Sequence, residues 1–119
     1  MKVLLDECVD RRLKSRLPDH EVYTVTNMQW NGLKNGVLIN AAIDGGFDLL
    51  LTIDKNLEFK QNIKKRDIIV VVFDVKQNNV KLFEPLLPLF EAQLPTFQKG
   101  VACRIQKSDA QLHSRQHFL

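Results

Sequence analysis

Leu49-Leu50-Leu51-Thr52-Ile53-Asp54 and, at the start of the chain, Val3-Leu4-Leu5-Asp6-Glu7 share one plan: an unbroken apolar run that ends on an acid. Runs this short, without polar alternation, read as strands buried on both faces, as in a parallel sheet covered by helices on either side. If the two are neighbours, their carboxylates meet at the C-terminal edge, where open α/β sheets place their sites. Two unit charges about 4 Å apart repel by around 4 kcal/mol at an effective dielectric of 20. A divalent cation relieves that repulsion, so the pair points to a metal.

Outward from these runs, strand and helix alternate. Val9, Leu13 and Leu17 recur at a spacing of four, with Asp10, Arg11, Arg12, Lys14 and Arg16 on the other faces, which predicts a helix closed by Pro18-Asp19. Glu21 to Val25 alternates as a strand, and Thr26 to Lys34 reads as loop. Asn35 is placed to cap a second helix that presents Val37, Leu38, Ala41 and Ala42 on one face and ends at Gly45-Gly46. Phe47 to Ile53 is the next strand, Asp54 to Asn62 a turn with some helix, and Asp67 to Phe73 a β-branched strand ending in Asp74. From Asn79 to Leu94 the spacing is helical again, but Pro85 and Pro88 predict a break near Glu84. Val101 to Ile105 reads as a last strand. Repeated β-α-β units imply parallel pairing with right-handed crossovers. The expected fold is α/β, a three-layer α/β/α sandwich with a mostly parallel sheet of four to five strands over residues 1–105, followed by a polar, flexible tail, 106–119.

A chain of 119 residues suits one domain, and 45% hydrophobic with 26% charged residues excludes a disordered or disulfide-stapled class. No apolar run approaches the roughly 20 residues of a membrane span, and the first strand leaves no room for a signal peptide, so a cytoplasmic protein is expected. Cys8 and Cys103 have no C-x-x-C context and read as reduced thiols. A net charge of +3 is compatible with nucleic acid without demanding it.

Asp6, Glu7, Asp54 and Asp74 all follow strand-like runs. Oxygen donors of this kind suit Mg²⁺ or Mn²⁺, which keep several waters. Acids after strands also cap helices, so the plain alternative for each is a local main-chain bond. Leu4-Leu5-Asp6-Glu7 and Leu50-Leu51-Thr52-Ile53-Asp54-Lys55-Asn56-Leu57 resemble the two signature segments of short bacterial PIN-like domains, relatives of VapC-type toxins of toxin–antitoxin pairs. The resemblance implies a PIN-like fold and a hydrolase, a Mg²⁺- or Mn²⁺-dependent ribonuclease. It assigns metal binding to Asp6 and Asp54, an acidic position beside the first ligand to Glu7, and an orienting hydroxyl to Thr52. Asn56 stands where the family usually has a further aspartate and is a candidate metal ligand through an amide oxygen that adds no charge, and Asn35-Gly36 replaces another expected acid. Asp74 is positioned to restore one charge if its strand lies beside that of Asp54. An antitoxin protein and a second copy of the chain are the partners implied, besides RNA.

Arg11, Arg12 and Lys55, with Lys14, Arg16, Lys60, Lys64, Lys65 and Arg66, are candidate phosphate contacts or simply a solvated surface. Trp30 either stacks a base or plugs the sheet edge. The apolar set Leu82, Phe83, Leu86, Leu87, Leu89 and Phe90 is read as core, or else as a surface for a dimer or an antitoxin. His20, His113 and His117 share no ligand spacing. Two other classes remain open: a PIN-like module that binds without cleaving, and a phosphorelay receiver, for which Phe73-Asp74-Val75 lacks the required hydroxyl.

Overall fold

The structure, a computed structural model, describes residues 1–34, 36–57 and 63–107. The cap expected at Asn35, the helical turns expected within 58–62, the cation Lys60 and residues 108–119 of the tail lie outside the described residues.

Strands β1 (Lys2–Leu5), β2 (Glu21–Thr24), β3 (Leu49–Thr52), β4 (Ile69–Phe73) and β5 (Ala102–Ile105) form one sheet in the order β2-β1-β3-β4-β5. Every pairing is parallel, so the expected mostly parallel sheet is parallel throughout. This order is one of the two common doubly wound arrangements, and its topological switch point falls between β1 and β3.

Side chains alternate across the sheet and divide the core in two. Val3, Leu5, Leu51, Val71 and Phe73 pack with Leu13 and Leu17 from the segment after β1 and with Phe83 and Phe90 from the segment after β4. Leu4, Leu50, Val70 and Val72 pack on the opposite side against Leu38, Ile39 and Ala42 of α1 (Gly36–Asp44). Phe73 meets Phe83 at 5.9 Å and Phe90 at 6.1 Å between ring centroids. A sheet buried on both faces needs no polar alternation, which is why its sequence shows none.

The helix expected after β1 is a 3-10 helix, Arg11–Arg16. Asp10 caps it by accepting from the Arg12 N–H at 3.0 Å, and Leu17 leaves the helical region at φ −122°, ψ 58°. Proline disfavours helical backbone in the residue before it, so Pro18 stops the segment after six residues, too short for an α-helix to establish itself. Val9, Leu13 and Leu17 are nonetheless buried, as their spacing predicts.

In α1 the buried face is Leu38, Ile39 and Ala42, while Val37 is 55% exposed. The expected face was rotated because this helix is apolar nearly all round, and contact with β1 and β3, rather than periodicity, selects the buried side. Gly46, at φ +79°, ends it. The break near Glu84 is present: α2 (Val80–Phe83), a 3-10 turn at Glu84–Leu86, then α3 (Leu87–Gln93), with Pro85 and Pro88 each at the start of its own segment. There the missing N–H costs nothing, since helix starts leave those donors unbonded anyway. Phe83, Leu86, Leu89 and Phe90 are core, and Leu82 is 40% exposed. Among the described residues, no helix is long and apolar enough to cross a membrane.

Candidate functional site

The register of β1 on β3 pairs Leu5 with Leu51, and the Asp6 N–H continues the ladder to the Leu51 carbonyl at 2.9 Å. Asp6 therefore leaves β1 beside Thr52, the last residue of β3. Thr52 is fully buried, and among the described residues it is the polar side chain that the core encloses. A hydroxyl has one proton to give and two lone pairs. Its proton goes to Asp6 Oδ2 at 2.7 Å, and it accepts from the Asp54 N–H at 3.0 Å. One buried oxygen thus ties the two acidic segments together.

Asp6 Oδ1 accepts from the Glu7 N–H at 2.8 Å, and Cys8 Sγ stands 3.6 Å from Asp6 Oδ2 and 3.5 Å from Thr52 Oγ1. Burial first, and the neighbouring Asp6 charge second, push the Cys8 thiol above its ordinary pKa, which keeps it protonated and poorly nucleophilic. Both cysteines are free thiols, as expected. Asp54 Oδ1 accepts from the Asn56 N–H at 3.0 Å, closing a tight turn, while the exposed Asn56 meets the site through its main chain. Among the described residues, the Glu7 carboxylate takes long contacts, from the Gly32 N–H at 3.3 Å and Asn31 Nδ2 at 3.5 Å.

Asp74 belongs to a different environment. It follows β4, and its carboxylate is held by Lys55 Nζ at 2.8 Å, with Arg104 Nε at 3.9 Å. Two cations occupy the acid that was expected to add charge to a metal site, and the pairing commits Lys55 as well. Arg12 is likewise bound, reaching Asp10 Oδ2 at 2.6 Å. Trp30 turns to the sheet edge: it packs edge-on against Phe47 at 5.9 Å, part-buried. Arg66 donates to the Asn40 side chain.

The fit to a metal can be judged from the donors. Asp6, Asp54 and the Thr52 hydroxyl offer hard oxygens, the chemistry that suits Mg²⁺ and Mn²⁺. Among the described residues, no group of three or more His, Cys, Asp and Glu is arranged to hold an ion. Mg²⁺ is commonly bound through one or two carboxylates plus substrate phosphate rather than by a protein cage. Two carboxylates and a hydroxyl are the donor types an open site of that kind uses, and the described residues form no closed cage.

A cleft of about 370 Å³ opens beside Asp6, between the ends of β1 and β2, with Glu7, Arg11, Lys14 and Asn27 in its walls. Lys14 was among the cations expected to contact phosphate, whereas Asn27 enters the candidate site here without warning from sequence. Comparisons with models of known protein families, with curated proteins and with solved structures returned no match.

Proposed function

We propose that this protein is a Mg²⁺- or Mn²⁺-dependent ribonuclease of the PIN-like type, acting as the toxin of a toxin–antitoxin pair. The observation that carries the reading is the Thr52 hydroxyl, which joins Asp6 to Asp54 at the switch point of the sheet. Asp6 and Asp54 would hold the ion, with substrate phosphate completing its shell. Held by these two carboxylates, a divalent ion would supply Lewis-acid chemistry toward a phosphate and would lower the pKa of water. Thr52 fixes the orientation of the Asp6 carboxylate, and the turn at Asn56 fixes that of Asp54. Glu7, with acceptor capacity left over, would take a proton or accept a hydrogen bond from a substrate hydroxyl.

The test is a pair of measurements. Millimolar Mn²⁺ should raise the melting temperature, because a ligand of the native state stabilises it by mass action, and single-stranded RNA should be cut only when the ion is present. Both responses should vanish in Asp6→Ala. No thermal response and no cleavage in the wild-type protein would remove the proposal.

A second reading, a PIN-like module that binds RNA or a protein without cleaving, is favoured by the lack of a three-ligand cluster among the described residues. It predicts RNA binding unchanged by the ion. The strand order is also that of receiver domains, but Asp74 and Val75 follow β4 where a hydroxyl is required. Labelling of Asp54 by acetyl phosphate would revive that third reading.

A further inference from the structure

The 3-10 segment Arg11–Arg16 carries four cations, and the structure treats them unequally. Arg12 is bonded to Asp10 at 2.6 Å, and Arg16 to Glu84 at 3.2 Å. Arg11, exposed, makes no hydrogen bond or salt bridge among the described residues. Lys14 Nζ donates to a neutral partner, Asn27 Oδ1, at 3.1 Å. With three residues per turn, positions three apart lie directly above one another in a 3-10 helix, so Arg11 and Lys14 stack on one side. Both line the cleft between β1 and β2. Neither of the two cations that face this cavity is in a salt bridge among the described residues, although Arg11 also feels the charge of Asp10.

The remaining walls sort by chemistry. Asn27 Oδ1 is taken by Lys14 and by the Thr24 N–H at 3.0 Å, which leaves its amide N–H₂ as a donor. Donors therefore gather on the β2 side. Glu7 also lines the cleft, its long contacts leaving it acceptor capacity, and Val9 and Val25 add apolar wall. An anion alone would satisfy the cations and be repelled by the carboxylate. A molecule with a phosphate at one end and hydroxyl or amino donors at the other satisfies both. At about 370 Å³, the cleft is near the lower end of ligand-pocket volumes, about 300–1,000 Å³, which suits one nucleotide and not a duplex.

We propose that this cleft seats a single ribonucleotide unit, its phosphate on Arg11 and Lys14 and its sugar or base donors toward Glu7. The assignment deepens the proposed function by naming where the strand lies relative to Asp6, and it rests on that reading only for the nucleotide's being part of an RNA. Binding itself needs no ion.

The experiment is a titration of the full chain with adenosine 5′-monophosphate at low salt in chelator, followed by calorimetry and by amide chemical shifts. Binding should shift the amides of Glu7, Thr24 and Asn27 and weaken by about 100-fold or more in the Arg11→Ala/Lys14→Gln double variant, the loss expected for two charge-assisted bonds. Arg16→Ala, which alters a cation bound to Glu84, should bind as the wild type does. Melting temperatures of the variants, all altered at exposed positions, report whether each is folded. Undiminished binding in the folded double variant, or inorganic phosphate binding as tightly as the nucleotide, would overturn the assignment. A four-nucleotide single-stranded RNA should bind more tightly than the mononucleotide at the same amides. If only the mononucleotide binds, the cleft is still a nucleotide site, and it is the ribonuclease reading that fails. Binding in Asp6→Ala with cleavage abolished separates the two in the same way.

Discussion

Asp6 and Asp74 occupy equivalent places, each the first residue beyond a parallel strand, yet the molecule handles them in opposite ways. Asp6 is surrounded by neutral donors, the Thr52 hydroxyl, the Glu7 N–H and the Cys8 thiol. Its charge is oriented but not cancelled. Asp74 is met by Lys55 and Arg104, so its charge is matched on the spot. The acid-after-strand pattern therefore says where a carboxylate emerges and nothing about whether it is left available. Availability is decided by which residues the next strand brings alongside.

The sharpest way to break this contrast is to remove each acid in turn. Replacing even the outer partners of metal ligands costs about 10–100-fold, so on the proposed function Asp6→Ala and Asp54→Ala should each lower the proposed Mn²⁺-dependent RNA cleavage by at least about 100-fold. Asp74→Ala should stay within a few-fold of wild type in the same assay. If Asp74→Ala is as damaging as the other two, the neutralised acid is part of the machinery and the contrast is void.

Stability should separate the rims less widely but in the same direction. Thr52→Val keeps the shape and deletes the hydroxyl, leaving Asp6 Oδ2 and the Asp54 N–H without their shared partner, at a cost of about 1–3 kcal/mol. Asp74→Asn breaks a partly exposed ion pair and should cost under about 1 kcal/mol, shrinking in high salt. Urea unfolding of the two variants checks both.

A smaller effect concerns Cys8. Its thiol titrates high because of burial and then Asp6, so Asp6→Asn should speed alkylation by iodoacetamide near neutral pH, whereas Asp74→Asn should not. Mass spectrometry of the modified peptide reads this directly. The smallest is electrostatic tuning at Asp10, whose carboxyl is held at about 2, below its ordinary 3.8, first by the Arg12 side chain and then by the Arg12 N–H. A lowered folded-state value means the stabilisation is complete above the ordinary range and fades as pH falls towards 2. Asp10→Asn should thus destabilise slightly at pH 6 and not at all near pH 2.

Strands β1 and β3 were legible because burial on both faces leaves contiguous apolar runs, and the turn residues Gly46 and Pro85 mark real ends. Strand adjacency predicted that the Asp6 and Asp54 segments meet, whereas the Thr52 hydroxyl that joins them was indicated only by the family resemblance. What could not be read were the partners. Lys55 follows Asp54 in sequence but reaches Asp74, and Arg104 arrives from β5, so the fate of Asp74 depends on the β3-β4-β5 register. Likewise Arg11 and Arg12 are neighbours of one type. Only the 3-10 winding, imposed by Asp10 and Pro18, sends one to the cleft and the other to Asp10.

The strand order carries a consequence for biosynthesis. Because β2 pairs with one side of β1 and β3 with the other, Asp6 leaves the ribosome long before Thr52 exists to orient it. A nascent chain arrested anywhere short of β3 carries the first acid but no assembled rim, so whatever chemistry the rim performs is withheld until translation has passed that strand.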